Sequence, residues 1–175
     1  LMAQCQLEQG RTEDALALLE QSERISVSTL GPDHPHIAGT LLTMAQCHRS
    51  LGDYDAALTL LARASDIFSA TLGKDHPHFA AALFTMAQCH LHKAEYDEAL
   101  AKLGRCLEVQ VEAFGTGHPH VAGTLFTMAQ CQHNLGDNEA ALELLCQCED
   151  IYSRTVGEDH PNYKACTRLT QRCLH

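Results

Sequence analysis

Met86-Ala87-Gln88-Cys89 decides how the rest of the chain is read. The same four residues stand at positions 2–5, 44–47 and 128–131, so the step is 42 residues each time and all four methionines of the chain fall inside these copies. A second mark keeps the same step. It is a glycine followed three residues later by His-Pro, at Gly31/His34-Pro35, Gly73/His76-Pro77, Gly115/His118-Pro119 and Gly157/His160-Pro161. A pattern that returns at a fixed interval without insertions is one structural unit stacked on copies of itself. Each copy buries a face it cannot bury alone.

Within the unit that follows Gly31, Pro35 suits the first turn of a helix, where its missing N–H is no loss, and Asp33 or His34 is placed to cap it. Ile37, Ala38, Leu41, Met44, Ala45 and His48 then recur at three- and four-residue spacing, which predicts an amphipathic helix ended by Gly52. Asp53 opens a second helix with Tyr54, Ala57, Leu58, Leu61, Ala64 and Ile67 or Phe68 on one face. Across units some columns do not vary: Ala15/Ala57/Ala99/Ala141, Leu16/Leu58/Leu100/Leu142, Leu19/Leu61/Leu103/Leu145 and Ala3/Ala45/Ala87/Ala129. Small residues at fixed columns let helices approach closely, and large ones beside them fill the space. The turn column reads Gly10, Gly52, Ala94, Gly136, so the third turn has lost its glycine.

The totals narrow the field. The 175 residues carry 12 Lys and Arg against 22 Asp and Glu, a net charge of -10. Nucleic acids and anionic membrane surfaces select basic faces, so neither is expected as a partner. No run approaches the roughly 20 apolar residues of a membrane span. Nine cysteines stand in the chain, but Cys5, Cys47, Cys89, Cys131 and Cys173 form a repeat column and there is no CxxC pair. They read as small buried thiols in a reducing, cytoplasmic setting rather than as a disulfide framework. The chain opens in mid-repeat, so it is expected to be a piece of a larger multidomain protein.

Leu41, Met44, Ala45, Gly52, Tyr54, Ala57, Leu61 and Ala64, and in the next unit Leu83, Met86, Ala87, Tyr96, Ala99 and Leu103, resemble the tetratricopeptide repeat. The departures are His48, His90 and Gln132, where the first helix of that motif usually carries an aromatic. The common unit has 34 residues. The longer step, with His-Pro between units, looks like the version in kinesin light chains, and the eight extra residues add about 12 Å of helix per unit. The resemblance implies an all-α, right-handed superhelical solenoid of antiparallel helix pairs. It is expected as one array over 1–175, with a partial unit 1–30, units 31–72, 73–114 and 115–156, and a more polar cap helix in 157–175.

The resemblance also implies that the first helices line a concave peptide-binding groove. The face turned from the core would then carry a ladder of Gln4, Gln46, Gln88 and Gln130 beside an apolar stripe of Leu42, Phe84 and Phe126, with Thr43, Thr85, Thr127, Arg49 and Asn134. A glutamine amide both donates and accepts, so a ladder of them matches a peptide backbone of any sequence, and the stripe would bury ligand side chains. The bland alternative makes the glutamines solvated helix formers and packs Phe84 and Phe126 between repeats. Kinesin light chains carry Asn at the columns that hold Leu42-Thr43, Phe84-Thr85 and Phe126-Thr127 here, which weighs against an identical cargo role.

No catalytic residue, cofactor or metal ligand is assigned. Cys89 and His90 are adjacent, and neighbours on a helix point apart, so they form no nucleophile–base pair. His34/His36, His76/His78 and His118/His120 flank prolines, and two imidazoles at a turn are too few for a closed zinc site. The function expected is a protein-interaction scaffold that binds a partner peptide or helix in the groove. The rivals are a kinesin-light-chain-like cargo adaptor and a regulatory array attached to an enzyme or nucleotide-binding switch domain. A spacer that binds nothing is a further alternative.

Overall fold

A computed structural model describes residues 12–175. Gln4, Cys5 and Gly10 lie outside the described residues, as does the whole copy at positions 2–5. The described chain is all helical: α1 (Thr12–Leu30), α2 (Pro35–Ser50), α3 (Tyr54–Thr71), α4 (Pro77–His92), α5 (Tyr96–Phe114), α6 (Pro119–Leu135), α7 (Asn138–Thr155) and α8 (Pro161–Cys173). Two compact units divide it, Leu1–Lys93 and Ala94–His175. In the first, each of α1 to α4 packs on its neighbour and α2 also touches α4; in the second, α5 to α8 repeat that scheme, with α6 touching α8.

The His-Pro mark makes the helix starts. His34, His76, His118 and His160 are extended N-cap residues, and each Nδ1 accepts from the backbone N–H two residues on, at 3.2, 3.1, 3.1 and 3.2 Å. The proline that follows needs no such acceptor, so imidazole and pyrrolidine together deal with two of the orphan donors of the helix end. Asp53 and Asp137 cap α3 and α7 in the ordinary way, through Oδ1.

The turns between the paired helices need a left-handed residue. Gly52 and Gly136 provide it at φ +81° and +87°. Ala94 takes the same role at φ +60°, the one non-glycine residue of positive φ among the described residues. The following N-cap, Glu95, makes no side-chain capping bond to its helix.

Packing follows the columns. Ala15, Ala57, Ala99, Ala141, Leu61, Leu103, Leu145, Ala45, Ala87 and Ala129 are all without solvent exposure. In the first unit Ile37, Leu41, Met44, Leu61, Ile67 and Phe68 fill the space around the small residues; in the second Val121, Leu125, Leu145, Ile151, Tyr152 and Leu169 do so. Each such side chain contributes about 1.5–3 kcal/mol by leaving water. His48 is half-buried rather than core, with Nδ1 3.4 Å from Asp53 Oδ2. Lys93 Nζ meets Asp55 Oδ1 at 2.8 Å and His92 stacks on Tyr54 at 5.2 Å, tying the end of α4 to the start of α3.

The described cysteines are free thiols; all are buried except Cys146. Burial raises the Cys106 and Cys131 thiols to about 11, because a thiolate there would lose its hydration.

Candidate functional site

The first unit carries an open groove of about 710 Å³. Pro35, His36, Gly39, Thr40, Leu42 and Thr43 of α2 form its floor. Leu19 and Ser22 of α1, Phe68 of α3 and Leu72 just beyond that helix, and His76 and His78 at the start of α4 form the sides. No carboxylate lines it, although the chain is acidic.

Side-chain size explains why this place is open. Ser26 stands one repeat before Phe68 and reaches His36 Nδ1 at 3.5 Å. In the second unit the same columns hold Gln110 and Tyr152. There Gln110 Oε1 accepts from the buried Thr124 hydroxyl at 2.7 Å, filling the space. A Cβ on Gly123 would meet the Tyr152 hydroxyl at 3.5 Å, whereas one on Gly39 would meet nothing within 4 Å.

The residues expected on the binding face divide into three groups. Leu42 and Thr43 line the groove. Gln46 is exposed and Gln88 and Gln130 are half-buried, none of them among the groove-lining residues. Phe84 and Phe126 are half-buried, and Phe126 packs against the core of the second unit. Thr85 and Thr127 are only 3% and 4% exposed and present almost no surface. The hydroxyls of Thr43, Thr85 and Thr127 donate to the carbonyls of Gly39, Ala81 and Gly123, so their protons are used within their own helices. Asn134 Nδ2 likewise donates to the Gln130 carbonyl at 2.8 Å. Arg49 is half-buried with its Nε enclosed and lacking a hydrogen-bond partner.

Sequence reasoning missed the groove walls. Leu19, Ser22, Phe68 and Leu72 belong to the helices before and after α2 or to the residue just beyond them, and His36, His76 and His78 are weighed in the sequence as helix punctuation and as too few for zinc, not as groove walls. The available signal was the column Ser26/Phe68/Gln110/Tyr152, whose variation in bulk stands out beside invariant alanines and leucines.

A thiol–imidazole cluster lies between α6 and α8. Cys173 Sγ lies 3.5 Å from His133 Nδ1. Arg172 donates to His133 Nε2 at 3.2 Å, which leaves the ring proton on Nδ1, where it is given to Asn138 Oδ1 at 2.8 Å. A protonated Nδ1 cannot take the thiol proton, and burial raises the Cys173 thiol further from ionisation. The cluster therefore holds α8 against α6 and does not activate a nucleophile. Among the described residues no group of three or more His, Cys, Asp or Glu is arranged to hold a metal, and no helix is long and apolar enough to cross a membrane.

Helix pairs of this length, stacked in register and opened by His-Pro, define a helical repeat protein. The tetratricopeptide repeat model matches residues 1–70, 36–101 and 78–154, and the chain belongs to that family. A candidate kinesin light chain of Podosopora anserina with nearly identical TPR-like repeats superposes with a TM-score of 0.81 at 25% identity, covering 98% of this chain and 82% of that one. BtubC (BKLC) from P. vanneervenii gives 0.80 at 16% identity over 98% of this chain and 74% of its own. MamA of Desulfovibrio magneticus RS-1 gives 0.60 at 17%, over 99% and 89%. No curated protein sequence matches the chain. The fold class is thus the all-α tetratricopeptide solenoid of the kinesin-light-chain-like type, and its general role is that of a protein-interaction scaffold.

Proposed function

We propose that the chain binds a partner peptide, and that the groove on α2 receives an apolar side chain of it. The observation that carries this reading is the open, carboxylate-free cavity of about 710 Å³ walled by Leu19, Leu42, Phe68 and Leu72. A cavity of that size is in the range that buries a small ligand or a bulky side chain. Apolar walls contribute affinity by excluding water, while Ser22, Thr40 and the three imidazoles offer polar edges that fix orientation. Gln46 and Gln88 extend the same unit's exposed or half-exposed surface and suit the backbone of an extended segment. The cargo-adaptor reading rests on the kinesin-light-chain-like neighbours; the regulatory-array reading needs a further domain.

Gly39 supplies the test. Gly39→Leu fills the groove from its floor without a backbone clash and replaces a helical glycine by a better helix former. A peptide-library screen on the wild-type chain should yield ligands that Gly39→Leu rejects at least tenfold, with helicity and melting temperature unchanged or raised. Ligands bound equally well by Gly39→Leu but lost by Gln46→Ala/Gln88→Ala would place binding outside the groove and refute this reading of it.

A further inference from the structure

Cys148 of α7 and Cys166 of α8 lie face to face with their sulfurs 2.8 Å apart, and neither is exposed to solvent. Their 18-residue separation is a fixed register of the fold. The preceding copy places Cys106 against Thr124 at 3.7 Å in that register. The first unit places Ala64 and Ala82 there, both buried in its core. The position is thus one where a second helix meets the next first helix through two small side chains. In the last pair both happen to be thiols. A disulfide needs sulfurs about 2.05 Å apart, so the two sulfurs have less than about 1 Å further to approach.

We propose that Cys148 and Cys166 are a reversible redox pair, whose disulfide locks α8 onto α7. The oxidant class is a low-molecular-weight disulfide. One protein thiol, as thiolate, attacks a sulfur of the small disulfide and expels one small thiolate. The second protein thiolate attacks the protein sulfur of the mixed disulfide and expels the other. Two protein S–H bonds are lost and one S–S bond forms; the two protons end on the two small thiols, which take up the two electrons.

Burial sets the kinetics. The hydrogen bond with the Cys166 thiol, together with burial, keeps the Cys148 proton in place. The exchange therefore waits for α8 to lift from the second unit. Only Cys166, Leu169 and Cys173 of α8 are buried, and Lys164, Arg168, Gln171 and Arg172 face water, so α8 is held by a narrow stripe. Once the bond forms, lifting is hindered and reduction becomes slower still. The pair works as a latch that responds to sustained oxidation and ignores brief pulses. Cys146, two residues away and exposed, points elsewhere and has no part in it.

The full chain, with Cys146→Ser to remove the exposed thiol, is equilibrated across mixtures of oxidised and reduced glutathione. The expected product loses two hydrogens per chain by intact mass. Peptide mapping joins Cys148 to Cys166, and the melting temperature rises by about 6–12 °C, the effect of closing a loop of this length in a chain of this size. Amide exchange in 161–173 should slow in the oxidised form and recover with reductant. The Cys148→Ala/Cys166→Ala variant copies the Ala64/Ala82 pair, so it should fold and show none of these changes. Mixed glutathione disulfides on Cys148 or Cys166 that never resolve into the cross-link, or persistence of both thiols at the most oxidising ratio while partly unfolded chains do cross-link, would overturn the proposal.

Discussion

Ala94→Gly should stabilise the protein although it deletes a methyl group. Ala94 is exposed, so its Cβ buries nothing, and it sits at φ +60° in the turn that Gly52 and Gly136 make at +81° and +87°. A left-handed L-residue costs about 1–2 kcal/mol because Cβ crowds the following carbonyl oxygen. Glycine removes that clash, but it also frees the unfolded chain, which returns about 0.4–1 kcal/mol. The net expectation is a gain of about 0.5–1 kcal/mol, or a melting temperature higher by about 1–4 °C for a chain of this size. Urea unfolding followed by circular dichroism measures it, with Gly52→Ala and Gly136→Ala as reciprocal variants that should each lose about 1 kcal/mol. The gain should appear with an unchanged urea dependence, since no surface is newly exposed. A destabilised Ala94→Gly beside the expected losses at the two glycines would refute the claim that backbone conformation governs this position.

Four other outcomes are expected. His118→Ala removes the acceptor for the His120 N–H and should lower stability by about 1 kcal/mol, whereas His118→Asp keeps an acceptor and should recover most of it in urea titrations. Thr124→Val strands the buried Gln110 carbonyl oxygen and should cost about 1–3 kcal/mol, while the double variant Thr124→Val/Gln110→Leu, which removes both partners, should lie much closer to wild type. With Cys106 and Cys131 raised to about 11, the unfolded chain ionises first, so stability should fall as pH rises from about 9 towards 11. The same burial makes Cys146 the described cysteine that reacts first with iodoacetamide in the native state, as mass spectrometry of partial labelling would show.

Much of the fold was legible because the repeat displays it four times. Ala57, Leu61 and Ala45 could be assigned to the core from periodicity alone, and the column identities agreed with them. The lost glycine at Ala94 was visible in the turn column, and the alanine takes the same left-handed conformation as the glycines of the other turns. The binding face was harder. Helical periodicity says which way a side chain leaves its own helix, but not whether a neighbouring helix covers it. Thr85 and Thr127 leave on the expected face and are buried all the same, while Leu42 and Thr43 stay accessible. The groove depends on Ser26 and Phe68 in one unit and Gln110 and Tyr152 in the other. Those are differences of volume between copies, and a search for sameness passes over them.

The helix starts have a consequence for how such a chain grows. Each first helix carries its imidazole acceptor and its proline in the adjoining residues, and each turn carries its own left-handed residue. All the punctuation lies within one period, so unequal crossing-over between two copies of the gene, at any phase, deletes or adds a whole period and leaves every surviving first helix with its cap. Length variation among descendants of this gene should come in multiples of the period. Breakpoints should be scattered within it rather than gathered at the linkers.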